Sequence, residues 1–123
     1  GKEIRRKKEI YSTVLKANRE AVAAVKHGIA TKAIDEAARA VIRSSGYGRF
    51  FGHGTGHGVG LEVHELPRIS GASAEMLRSN MVFTIEPAIY MPGLGGVRVE
   101  DMILVTEETP YVMTKLPKRL EII

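Results

Sequence analysis

At Gly46 the sequence changes period, and that change does most to limit the fold. Before it, apolar residues recur at the three-and-four spacing of an amphipathic helix: Ile10, Tyr11, Val14, Leu15, Ala21, Val22 and Val25, then Ile34, Ala37, Ala38, Val41 and Ile42. The spacing predicts a helix over 6–27, with Gly28 just beyond it, and a second over 32–44, opened by Thr31 as N-cap and closed by Ser44-Ser45-Gly46. After Gly46, glycines crowd residues 46–60 and the later segments are rich in Val, Ile, Thr and Tyr. Strands are expected at 58–64, 81–90, 97–106 and 111–115, with a turn at 107–110 and a short helical turn over 73–79. Asn80, which tolerates left-handed backbone, follows that turn. Two helices followed by strands predict an α+β domain, with helices on one face of a mainly antiparallel sheet. A chain of 123 residues, 44% apolar and 26% charged, has room for one core, so residues 1–123 are expected to form a single domain with no second one.

Charge and composition narrow the function classes. The net charge of +4 is uneven, with eleven basic against five acidic residues up to Arg43. The densest run, Arg5-Arg6-Lys7-Lys8, lacks the aromatic and glycine-rich interleaving of a base-reading surface, so a solvated helix face is the simpler reading and nucleic acid is not an expected partner. With no cysteine, disulfides, thiolate metal sites and cysteine nucleophiles are excluded, and any metal must be held by nitrogen and oxygen. No apolar run approaches a bilayer span and the first residues are too charged for a signal peptide, so no membrane role and a cytoplasmic setting are expected.

The residues able to do chemistry cluster late. Three of the four histidines, His53, His57 and His64, fall within twelve residues, interleaved with glycines that let a ligand approach. Parity along a strand sets His57 and His64 on opposite sides unless a bulge intervenes. Glu86 interrupts an apolar strand just before Pro87, and Glu100 and Asp101 interrupt another. Carboxylates in buried strands need a cationic partner or a bound cation. Arg98 shares Glu100's face by alternation, so an ion pair is the simple alternative; Arg98 could equally hold a substrate carboxylate. One imidazole and two carboxylates suit Mn²⁺, Co²⁺ or Zn²⁺. A pair of such ions suits water activation for attack on an amide carbonyl, with a nearby carboxylate taking the proton.

The stretches Gly52–Pro67, Val82–Pro87 with Tyr90, and Gly96–Asp101 together resemble the Xaa-Pro peptidases, the prolidase and aminopeptidase P branch of the pita-bread metallopeptidases that also include methionine aminopeptidase. The resemblance implies half of a pita-bread fold and hydrolysis of the peptide bond preceding proline, using two divalent ions. It assigns His57 as the histidine ligand, Glu86 as a ligand that also serves as general base or proton shuttle, and Glu100 as the carboxylate bridging both metals. His53 and His64 match histidines on the substrate side, Arg98 the active-site arginine, and Tyr90 a tyrosine near the bridging water.

The family's site takes five protein ligands, and its two aspartates precede the helix pair with which this sequence opens. None of Glu3, Glu9, Glu20, Asp35 or Glu36 substitutes for them, since all fall on or beside helices outside the metal site. The sequence thus matches the C-terminal half of a catalytic domain and supplies three of five ligands, and the isolated chain is expected to be a poor catalyst. The expected partners are a peptide with proline at its second position, the N-terminal half of the catalytic domain, and further copies of the chain, because the faces that would meet the other half are apolar. A metal-free binding module of the same fold is the alternative, and retention of His57, Glu86 and Glu100 favours the enzyme.

Overall fold

A computed structural model describes residues 1–59 and 65–118. Helix α1 spans Lys2–Ala24 and α2 spans Thr31–Ser44. The expected apolar stripes face inward: Ile10, Val14, Ala17 and Ala21 of α1 and Ile34, Ala38 and Ile42 of α2 are all buried in one core with Phe83, Ile85 and Ile103 from the sheet. Burial of such stripes, at about 25 cal/mol per Å² of apolar surface, is what holds the helices on the sheet.

The helix ends are instructive. Gly46 adopts φ +88°, its amide bonds to the Arg43 carbonyl and the Tyr47 amide to that of Ile42, which closes α2 as its glycine predicts. Helix α1 stops earlier than Gly28, because Val25 turns extended and buries its side chain. Gly28 instead begins a pairing with a distant strap: its amide donates to the Leu77 carbonyl, and the Leu77 amide returns to Ile29. The short helix expected over 73–79 is therefore not formed; its backbone groups are taken by residues 28–31 rather than by each other. Thr31 does not cap α2 either. Ala30 is the N-cap, and the Thr31 hydroxyl reaches across to Ser73 Oγ at 2.6 Å. Asn80 has φ +75°, as its side chain allows.

Among the described residues seven strands follow a 3₁₀ turn at Gly48–Phe50: β1 Gly56–Gly58, β2 Glu65–Ile69, β3 Val82–Ile85, β4 Ala88–Met91, β5 Gly95–Arg98, β6 Asp101–Leu104 and β7 Tyr111–Val112. Five make one antiparallel sheet in the order β2-β1-β3-β6-β7, and β4 with β5 forms a separate hairpin. Of the strand expected over 58–64, only Gly58 falls in β1 and Val59 lies in no strand, while residues 60–64 are outside the described residues. Strand β2 was not expected, since Pro67 punctuates it; lying at the sheet edge, it tolerates a residue with no amide hydrogen.

The two long strands expected at 81–90 and 97–106 are each broken, and the breaks match. β3 pairs with β6 up to Ile85 opposite Asp101, and β4 pairs with β5 from Ala88 opposite Arg98. Between them both chains leave one sheet for the other, at Glu86-Pro87 and at Val99-Glu100. Pro87 cannot donate to a ladder, and the Glu86 amide is drawn off to the Thr55 carbonyl at 2.6 Å. The crossover thus carries two of the three acids that the apolar pattern marked as anomalous, Glu86 and Glu100, while Asp101 begins β6. Among the described residues no helix is long and apolar enough to cross a membrane.

Candidate metal and substrate site

His57 sits in the middle of β1, beside Gly56, where the backbone is pressed so tightly against β3 that a Cβ would lie 1.7 Å from the Thr84 carbonyl oxygen. Only glycine permits this approach. The His57 amide donates to Thr84 Oγ1 at 3.1 Å, and its Nδ1 lies 2.9 Å from the Gly58 carbonyl. A carbonyl can only accept, so Nδ1 is the donor there, and Nε2 lies 3.8 Å from Glu86 Oε2. The pairing of β1 with β2 shifts register between His57 and Gly58, with the extra residues on the β2 side, so the irregularity leaves the alternation along β1 itself unchanged.

Glu100 stands across the crossover from Glu86. Its carboxyl is held above its ordinary value, chiefly by partial burial, then by the hydrogen bond and negative charge of Glu86, while Arg98 and His57 pull the other way. Arg98 Nε lies 3.6 Å from Glu100 Oε1, so the ion pair suggested by alternation is present, although both side chains remain about half exposed, 53% and 46%. Asp101 has a different fate. It points to the opposite face, is 2% exposed, and is met by Lys118 Nζ at 2.9 Å and the Thr114 hydroxyl. Of two adjacent acids, one is neutralised within the chain and the other faces a second carboxylate.

His57, Glu86 and Arg98 open onto a cleft of about 510 Å³ lined also by His53 and Tyr90, with Arg68 and Ser70 from the β2 side; Glu100 is not among its lining residues and meets the cleft only through Glu86 and Arg98. His53 lies edge-on to Phe51, with ring centres 5.2 Å apart, and 5.8 Å from Tyr90. Tyr90 in turn covers Gly96, where a Cβ would fall 2.4 Å from the ring. Sequence reasoning passed over Arg68 and Ser70. Their signal is the alternation about Ile69, which is fully buried and so turns its two neighbours the other way. His64 lies outside the described residues.

The donors fit a divalent cation by their chemistry. An imidazole nitrogen and two carboxylates, one of them held above its ordinary value by partial burial and then by its carboxylate neighbour, are the nitrogen and oxygen set that a borderline-hard ion would neutralise. Among the described residues no group of three His, Asp or Glu side chains stands ready to hold an ion by itself. Glu86 instead makes two pairwise contacts, with His57 and with Glu100.

Comparison with known proteins agrees with the arrangement. Residues 1–107 match the model of metallopeptidase family M24. Xaa-Pro dipeptidases of Pyrococcus horikoshii and Pyrococcus furiosus are each 50% identical over 115 residues, covering 94% of this chain and 33% of the relative. The chain thus spans about a third of the length of the curated relatives it matches. Among solved structures, the prolidase of Pyrococcus horikoshii superposes with a TM-score of 0.90 at 50% identity, over 92% of this chain and 33% of that one. The Xaa-Pro dipeptidase of Bacillus anthracis gives 0.91 at 48%, over 94% and 32%. The two helices and mostly antiparallel sheet are therefore half of a pita-bread fold, and the chain belongs to metallopeptidase family M24.

Proposed function

We infer that this chain forms the C-terminal half of the catalytic domain of a metal-dependent peptidase that cleaves the bond preceding proline, in dipeptides or at peptide N-termini. Its metal ligands are His57, Glu86 and Glu100, and two aspartates from the N-terminal half complete the set. The observation that carries this reading is the position of Glu86 at the crossover, in contact with both His57 and Glu100 and opening on the cleft. Identity of 50% to Xaa-Pro dipeptidases supports the substrate class. The nitrogen and oxygen donors, with no thiolate, support a divalent ion such as Mn²⁺ or Co²⁺, with Zn²⁺ also compatible.

Divalent ions, when bound, supply Lewis-acid activation of the scissile carbonyl and of the attacking water. The chain's own groups do the rest. Glu86 Oε2 accepts the proton of the water and returns it to the departing prolyl nitrogen, a task suited to a carboxylate that is largely shielded from solvent but beside an imidazole. His57, with Nδ1 tied to Gly58, keeps its ring in one orientation. His53 and His64 hold the substrate around the scissile bond, and the Arg98 guanidinium, half in solvent at the cleft wall, holds a substrate carboxylate.

The test is His57→Ala in the complete protein. Metal content measured by mass spectrometry should fall, and cleavage of Xaa-Pro dipeptides should drop by several orders of magnitude. Wild-type metal content in the variant would remove His57 from the ligand set.

A further inference from the structure

Helix α2 carries a carboxylate for which the chemistry above has no use. Asp35 is 1% exposed. Removing a charge from water costs several kcal/mol, of the order a buried group recovers only when its oxygens are fully engaged. Asp35 is so engaged. Arg39 grips it with two nitrogens, Nε to Oδ2 and Nη2 to Oδ1, both at 2.9 Å, and Thr55 donates its hydroxyl at 2.8 Å and its amide at 3.2 Å. Arg39 then reaches past Asp35 to the loop itself. Its Nη1 donates to the Phe51 carbonyl at 3.0 Å and its Nη2 to the His53 carbonyl at 2.9 Å, while the guanidinium lies 4.2 Å over the Phe51 ring.

Apart from the two bonds between Arg39 and Asp35 within α2, these bonds all reach residues 51–55, which lead into His57. Thr55 passes the restraint on. Its carbonyl accepts the Glu86 amide at 2.6 Å, and its own amide also donates to Ile69 at 2.7 Å. The Phe51 ring, pinned under Arg39, supports the edge of His53. Such an external hold is needed because the loop cannot stiffen itself. A Cβ at Gly54 would crowd the Ile69 carbonyl at 3.1 Å and one at Gly56 would overlap Thr84, so the approach at Gly56 demands glycine, the residue with most conformational freedom to lose.

We propose that Asp35 and Arg39 are positioning residues of the site: through Thr55 and the carbonyls of Phe51 and His53 they set the His53 ring and the Glu86 backbone at the cleft. This rests on reading the cleft as the seat of metal-dependent hydrolysis. The hydrogen bonds to Asp35 hold the Arg39 guanidinium above its ordinary value, so Arg39 keeps its charge.

The experiment uses Thr55→Val, Thr55→Ser and Arg39→Lys in the natural full-length protein, at a temperature well below melting, with calorimetric titration of Mn²⁺ and kinetics on alanyl-proline. Thr55→Val and Arg39→Lys should each lower kcat about 10- to 100-fold with KM changed less than about threefold, and should weaken Mn²⁺ binding, while Thr55→Ser restores both. If both variants melt lower yet keep wild-type kcat and Mn²⁺ affinity, the pair is merely structural and the proposal is overturned. A wild-type protein that binds Mn²⁺ but does not cleave Xaa-Pro bonds sinks the functional reading alone; weakened Mn²⁺ binding in Thr55→Val would then still support the positioning role.

Discussion

Asp35 and Glu100 are both carboxylates placed among apolar elements, and the chain treats them in opposite ways. Asp35 has four donors, all from within the chain, and its surroundings are closed. Glu100 faces Glu86, has one loosely placed guanidinium at 3.6 Å, and stays 46% exposed. Asp35 is fully engaged by its neighbours, whereas the crossover sets two like charges together with one loosely placed guanidinium on one of them. Natural folds leave such imbalance where a ligand belongs, because a bound cation recovers what like charges lose. The rigid cluster and the unbalanced one are also connected, since the Thr55 that Asp35 holds accepts the Glu86 amide.

That contrast can be broken by substitution in the natural protein. The largest effect on stability is expected from Asp35→Asn, which removes one member of a buried pair and should cost about 3 kcal/mol in urea unfolding. A loss under 1 kcal/mol would mean that the closed cluster contributes little net stability.

A smaller effect of the other sign is expected at the crossover. Glu100's carboxyl is higher in the folded than in the unfolded chain, so its contribution to stability is full below the unfolded value and is lost as pH rises through the folded one. Metal-free protein should therefore lose stability with rising pH across that window, and Glu100→Gln should flatten the slope and leave the protein slightly more stable at neutral pH. Adding Mn²⁺ to the wild type should flatten it as well. An unchanged slope in Glu100→Gln would show that folding does not raise the Glu100 carboxyl.

The smallest effect serves as the baseline. Arg43 pairs with Glu36 on the outer face of α2, one turn beyond Arg39, with both side chains more than half exposed. Arg43→Ala should change stability by no more than about 0.5 kcal/mol. A larger loss would erase the distinction between the buried and exposed pairs of one helix.

How far the sequence foretold this arrangement depends on whether the cause is local. Periodicity located α1 and α2, and Gly46 marked the end of α2, because side-chain spacing and positive φ are properties of adjacent residues. The strap at 73–79 was misread as helical because its hydrogen-bond partners lie more than forty residues away, at 28–31. Pro87 signalled an interruption after Glu86, yet the exchange of partners between sheets follows from the pairing of β3 with β6 and β4 with β5, which no single segment encodes. At the site, residue types and order pointed to His53, His57, Glu86, Tyr90, Arg98 and Glu100. Asp35 and Arg39 sit at the spacing of an ordinary helical ion pair, and only the fold brings Thr55 to them. The family match bears on the fold and the class of chemistry, while the residues' roles remain the proposal to be tested.

The most direct test is anomalous diffraction at the manganese edge from crystals of the complete protein grown with Mn²⁺. The account predicts density at the crossover within coordination distance of His57 Nε2 and the carboxylates of Glu86 and Glu100. Density confined to other surfaces, with those three side chains bound to nothing but protein and water, would contradict it.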